Sequence, residues 1–368
     1  MQKRNCAIDF LRIYMCILIC FLHLCNQVLY PFNNTYGIPN INSIGLCVEC
    51  FFIMSGFFLF LSKKTFKENT IARVVRLWPL LAFSTLLAGV LRLFHISGIS
   101  LSFDDVLNLL FLQGTGILQN GATNGPAWYV GVLFWVSLVY CIVKSKFSIR
   151  KQIIIIGSSV VIGMLLLWIP QGDIIYNKVR GFVPHTKLSV MVVRAFIAIG
   201  LGYILGYVQK HIVEKNDLFS NLQIYQKYLF TIIEIFFFLA FTFLMFQGYT
   251  SFALIYNYYL TLFIFIFIFI FILFFNRVGY LSSKILNNKL GEIAGNYSYS
   301  IYIMQNACFF IITYLASRNI DFININKIFT ISFSMFLFIL MGILSKCIVD
   351  YTVKYITFIY NRITQKEE

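Results

Sequence analysis

The chain has 368 residues, of which 60% are hydrophobic and only 12% charged, with a mean hydropathy of +0.81. A soluble domain carries roughly 45–50% apolar and about 25% charged residues, so a water-soluble globular core is excluded. The net charge of +15 does not point to nucleic acid, because Lys and Arg gather mainly in alternate short connectors between apolar runs, as cytoplasmic loops of membrane proteins do.

The apolar runs predict an all-α polytopic bundle of about ten transmembrane helices, near 7–29, 44–62, 76–94, 127–143, 152–169, 190–208, 228–246, 252–275, 294–316 and 328–348. The first run follows Lys3 and Arg4 and has the outline of a signal peptide. It is too long for one, carries Asp9, Arg12 and His23, and lacks a small-x-small cleavage site, so it reads as a retained span. The second holds Glu49 between Cys47 and Cys50. That C-x-x-C spacing has no second ligand pair nearby, so the cysteines read as packing groups and no metal is expected.

The third run opens with Arg73 and Arg76, followed by Leu77-Trp78-Pro79. The connector 95–126 contains an amphipathic stretch, Phe103 to Leu112, and ends in the Gly- and Asn-rich Gly114 to Pro126. It is expected on the outer side, either as a lid or acceptor-binding loop or as a plain connector. The Phe/Ile alternation from Leu262 to Phe275 is apolar on both faces and long, which predicts a lipid-facing helix rather than a strand. Basic connectors around Lys63–Arg73, Lys144–Lys151, Lys210–Lys227 and Arg277–Lys289 alternate with connectors poor in Lys and Arg. The alternation predicts cytoplasmic N- and C-termini. No internal repeat is visible, which weakens an inverted-repeat transporter reading.

Ionisable groups at membrane depth mark functional cavities, and here they concentrate in the first three helices. Asp9 and Arg12 are three residues apart, share a face, and form either a structural ion pair or part of a site. Arg12 and His23 lie on nearly the same face, separated along the axis by roughly 16 Å. Glu49 and His23 fall at matching depths on antiparallel helices. If these helices are neighbours, Glu49 can orient the imidazole as a general base requires; the alternative is a buried histidine bonded to a backbone carbonyl. Arg73 and Arg76 present paired guanidinium groups suited to phosphate, or else serve as positive-inside anchors.

These residues fall into an ordered set of motifs. Arg4-Asn5-Cys6-Ala7-Ile8-Asp9-Phe10-Leu11-Arg12 followed by His23, Glu49 followed by Phe51-Phe52-Ile53-Met54-Ser55-Gly56-Phe57, and Arg73-Val74-Val75-Arg76-Leu77-Trp78-Pro79 come first. Pro126-Ala127-Trp128-Tyr129-Val130-Gly131-Val132 and Tyr297-Ser298-Tyr299-Ser300-Ile301-Tyr302-Ile303 follow. The set resembles the acyltransferase family 3 of integral-membrane O-acyltransferases and spans nearly the whole chain.

The resemblance implies acyl transfer from cytosolic acyl-CoA, acetyl-CoA above all, to a hydroxyl of a surface or lipid-linked glycan. It casts His23, with Arg12 completing its motif, as the catalytic base and Arg73 and Arg76 as the acyl-CoA site; the helix geometry adds Glu49 beside His23 as a catalytic residue and Arg12 beside the two arginines for acyl-CoA. Asp9, Ser55, Trp128 and Tyr302 are expected to bind substrate or support the site, Ser55 as an oxyanion donor or as a packing group. A single transmembrane domain over 1–350, a basic cytoplasmic tail over 351–368 and a bacterial cytoplasmic membrane are expected. Two departures stand out: Leu133 or its neighbours replace an acid often found after the Trp motif, and Gln305 replaces a frequent histidine in the late Tyr-x-x-His. The rival classes are a glycan flippase, transporter or polymerase, and a degenerate acyltransferase-like membrane partner.

Overall fold

The computed structural model describes residues 4–26, 42–95, 103–117, 124–168, 188–247, 253–318 and 327–364. In a bilayer an apolar run satisfies its own backbone polar groups only as a helix, and no β-strand occurs among the described residues. The helices are α1 (Cys6–Leu24), α2 (Cys47–Leu61, entered through a 3-10 turn at Asn42–Leu46), α3 (Phe66–His95) and α4 (Phe103–Asn108). They continue with α5 (Ala127–Lys146), α6 (Ile149–Trp168), α7 (Val190–Val208), α8 (Ile224–Met245), α9 (Ala253–Asn276), α10 (Lys289–Arg318) and α11 (Lys327–Thr364).

Among the described residues, 9 helices are long and apolar enough to cross a membrane. The tenth expected span, 294–316, lies inside α10, a helix of 30 residues and thus about 45 Å, which buries Ser300, Gln305 and Asn306. Two boundaries differ from expectation. Helix α3 begins at Phe66, so Arg73 and Arg76 sit roughly two and three turns inside it rather than at its start. Helix α11 runs through 350 without a break to Thr364.

Burial separates the helices into two sets. In their apolar stretches α1, α2 and α5 bury 61%, 72% and 67% of residues, whereas α6, α8 and α11 bury 22%, 17% and 22%. The first set forms the centre; the second presents its side chains to lipid. Helices α2 and α7 pack backbone to backbone at Gly56, where a Cβ would lie 1.9 Å from the Ile199 carbonyl oxygen. Small residues supply such close contacts where lipid removes the hydrophobic drive between helices. Helix α1 lies along α10, with Cys16 Sγ donating to the Ser298 carbonyl at 3.1 Å.

The described part of the connector expected outside, 103–117, lies beside the middle of α3. Trp78 Nε1, twelve residues into that helix, donates to the Leu109 carbonyl at 3.0 Å, and Asn108 Nδ2 donates to Thr85 Oγ1 at 3.3 Å. Phe111, held at a φ of 60°, stacks on Phe134 of α5 with ring centroids 4.3 Å apart. Phe103, Val106 and Leu110 face outward, while Asn108 and Phe111 face the bundle. Amphipathicity thus wedges the segment between lipid and protein; irregular backbone at membrane depth persists where protein covers it.

Candidate functional site

Helices α1, α2, α3, α5 and α10 enclose a cavity of about 1140 Å3, with Lys64, Glu214 and Arg277 of the basic connectors at its mouth. On the α1 wall, Asn5 caps the helix, its Oδ1 accepting from the Ile8 amide at 3.4 Å, and its Nδ2 donates to the Phe275 carbonyl at 2.8 Å. Asp9 follows, 2% exposed and wedged against α10 at Gly295, where a Cβ would fall 2.4 Å from Asp9 Cβ. Only glycine leaves room for that carboxylate. Arg12 Nη1 donates to Asp9 Oδ1 at 3.1 Å, so the expected pair forms, but Asp9 is shared: Arg4 Nε donates to Oδ2 at 2.5 Å. The Arg12 guanidinium also lies 5.1 Å over the Phe58 ring, a cation–π contact that holds it toward the cavity.

The α3 wall starts from a capping box. Thr65 N–H donates to Glu68 Oε2 at 2.8 Å, and Glu68 N–H donates to Thr65 Oγ1 at 3.3 Å. The helix so started carries Arg73 and Arg76 into the cavity. Pro79 removes a rung of the ladder just above them, and Tyr299 Oη of α10 donates to the Leu77 carbonyl at 2.8 Å, joining α3 to α10 at that level. Neither arginine has a carboxylate partner among the described residues. The cavity lining as a whole holds Arg4, Arg12, Lys64, Arg73, Arg76, Arg277 and Lys346 against Asp9 and Glu214. Such an excess of positive charge at membrane depth suits an anion or water, not lipid.

Toward the other face the lining turns apolar and closes. Tyr129 and Tyr302 meet edge to face with centroids 5.6 Å apart, Tyr129 packs on Phe52 at 4.8 Å, and Tyr302 Oη donates to the Pro126 carbonyl at 3.2 Å. One turn above Tyr302, Gln305 is fully buried. Its Nε2 donates to the Tyr302 carbonyl at 2.8 Å, which turns its Oε1 toward His23 Nδ1, also at 2.8 Å. An amide oxygen only accepts, so Nδ1 carries the proton of this bond.

The expected pairing of His23 with Glu49 is not what the structure shows. Glu49 is turned to α7, where Arg194 Nε donates to its Oε1 at 2.6 Å. A buried carboxylate takes the partner that neutralises it, and a guanidinium does so more completely than a neutral imidazole. Gln305, noted in the sequence only as a departure, holds the position expected of Glu49. Arg194 went unread, although an Arg inside the sixth apolar run was a signal of the same kind as Asp9 or Glu49.

Ser55 lines the cavity, and its Oγ donates to the Phe51 carbonyl at 2.8 Å, so its only proton is engaged within its own helix. Trp128 is half-buried and packs edge-on to Phe52 at 6.5 Å; its neighbour Tyr129, rather than Trp128 itself, reaches the cavity.

With this geometry in place, comparison with known proteins adds one finding. The acyltransferase family 3 model, described as an acyltransferase domain, matches residues 5–349, nearly the whole chain. No curated protein and no solved structure matches the chain.

Proposed function

The chain belongs to acyltransferase family 3, and from that premise we propose that it moves an acyl group, acetyl by preference, from cytosolic acyl-CoA to a hydroxyl of a surface or lipid-linked glycan. One observation carries the proposal: a cavity with excess positive charge ends at Tyr302, one helical turn along α10 from Gln305, whose amide holds the His23 imidazole. The basic connectors at the cavity mouth favour the cytosolic side, where acyl-CoA is found, and a bacterial cytoplasmic membrane is the setting we infer.

On this reading Arg73 and Arg76, with Arg12, hold the CoA phosphates; guanidinium forks bind phosphate oxygens in pairs. From Asn69 to Leu80 the cavity follows α3 for about 16 Å, a depth that suits an extended thioester arm. The His23 imidazole takes the proton of the acceptor hydroxyl as its oxygen attacks the thioester carbonyl. The tetrahedral intermediate collapses with cleavage of the C–S bond, and the CoA thiolate leaves with the proton returned from the imidazolium. The new bond is an ester C–O bond; nothing is oxidised or reduced.

The deciding experiment uses the purified full chain in lipid nanodiscs with radiolabelled acetyl-CoA. Saturable binding, together with CoA release that depends on added membrane glycan, is the expected result. Binding without release would favour a transporter or a catalytically degenerate partner, and no binding at all would end the acyl-CoA reading.

A further inference from the structure

On α10 the cationic cavity and the group that holds His23 are one helical turn apart. Tyr302 lines the cavity, while Gln305, three residues and roughly 4.5 Å further along α10, is fully buried and holds the imidazole. The same edge appears on the other walls. On α3, Leu80 faces the cavity and Ser84 is fully buried; on α5 the cavity is lined by Tyr129 and Leu133. Helix α2 contributes Phe51 at this level, edge-on to Tyr129 with ring centroids 6.1 Å apart. The cavity therefore changes in character along its length, from guanidinium groups below to tyrosine rings and aliphatic carbon above. An amphipathic ligand, with an anionic head and an apolar tip, matches that gradient.

The apolar end is closed by groups that are themselves held. Tyr302 is anchored by its hydroxyl on the Pro126 carbonyl, and Pro126 belongs to a turn fixed from two further sides. Gln113 Nε2 donates to the Gly125 carbonyl at 3.1 Å, and Asn124 Nδ2 donates to Ser84 Oγ at 2.9 Å. Tyr129 is clamped between Tyr302 and Phe52. Because these rings interlock, a chain that outgrows the space must displace packed side chains, and overpacking outweighs what each added methylene gains by burial.

We propose that Tyr129, Tyr302 and Leu133 form the acyl end of the donor site and act as a length filter, admitting short acyl groups to the His23 side and rejecting long ones. Leu133 is the adjustable wall of the three, since its side chain makes no hydrogen bond and shortening it opens the apolar end. Tyr302 is both wall and latch, because its backbone carbonyl holds Gln305 while its ring closes the cavity. The inference rests on an acyl thioester being the ligand of this cavity.

The test measures how well acetyl-, butyryl- and octanoyl-CoA displace radiolabelled acetyl-CoA from the full chain in nanodiscs, so that no acceptor has to be identified. In the wild type octanoyl-CoA should compete worse than acetyl-CoA by about tenfold or more, the order expected of overpacking a buried site. Leu133→Ala, and more weakly Leu133→Val, should shrink the octanoyl-to-acetyl ratio within the same protein. Tyr302→Phe, which keeps the ring and removes the Pro126 anchor, should shrink it as well. Equal competition by octanoyl and acetyl esters in the wild type would overturn the filter, as would an unchanged ratio in both Leu133 variants. Because Leu133→Val removes a single methylene, it keeps the test alive if the alanine variant does not fold. Failure of the wild type to bind acetyl-CoA overturns the donor reading and the filter together, whereas binding with no length preference removes the filter alone.

Discussion

The two ends of the polar track through this protein are built on opposite principles. At the lower end the charges are left unbalanced: Arg73 and Arg76 have no carboxylate partner among the described residues, and Asp9 is divided between Arg4 and Arg12. At the upper end the functional groups are paired, His23 with Gln305 and Glu49 with Arg194. An unbalanced, roomy cavity binds, because its electrostatic free energy improves when an anion enters. A paired network positions, because each partner restricts the orientation of the other. The contrast implies that substitutions below should act on donor affinity, and substitutions above on turnover or on stability.

The strongest way to break the contrast is His23→Ala. It should lower acyl transfer by about 10²–10⁴-fold, the range of a lost general base, while acetyl-CoA still binds. Full turnover in that variant would leave the upper end without a catalytic role. Next comes Arg194→Leu, which strands the Glu49 carboxylate in the interior and should destabilise the fold by about 3–5 kcal/mol in a detergent unfolding titration. Adding Glu49→Gln to that variant should restore most of the loss. If instead the single variant unfolds like the wild type, the pair does not position α2 against α7.

Arg73→Gln with Arg76→Gln should sharpen the lower end. Each charge-assisted phosphate contact contributes about 1.5–3 kcal/mol, so the donor Kd should rise by at least about tenfold, with a weaker salt dependence and an unchanged acceptor KM. An unchanged donor Kd would remove both arginines from the phosphate site. The smallest effect is expected at Gln305. Gln305→Leu removes a hydrogen bond of about 1 kcal/mol and should lower kcat about fivefold with donor affinity intact. A kcat unchanged in that variant would argue that Gln305 does not orient His23.

Much of the fold was legible because membrane insertion is a local rule: a run of about 20 apolar residues has to be a helix whatever surrounds it. Even so, the start of α3 was misread. The segment Phe66–Val75 is rich in charge, and its helicity is declared by the Thr65–Glu68 capping box rather than by hydropathy. The donor side of the site was legible for a related reason. Asp9, Arg12, Arg73 and Arg76 stand out wherever charge is costly, and the Asp9–Arg12 pair follows from spacing on one helix. Which group meets His23 could not be read in this way. Gln305 is 282 residues away in sequence, and Arg194 is 145 residues from Glu49. Depth matching on two helices names candidates, but it does not say which helix turns which face to which neighbour.

By itself, then, the sequence determined that this is a multi-helix membrane protein, which charges lie buried in it, and through its ordered motifs that it is an acyltransferase of family 3. The tertiary structure alone decided that an amide rather than a carboxylate orients the imidazole, and that a tyrosine layer parts it from the cations. It also placed the 103–117 segment within the bundle wall. The physical reason is one of range: hydropathy and helix periodicity act within a few turns of chain, whereas a hydrogen-bond partner is chosen by whichever helices pack side by side.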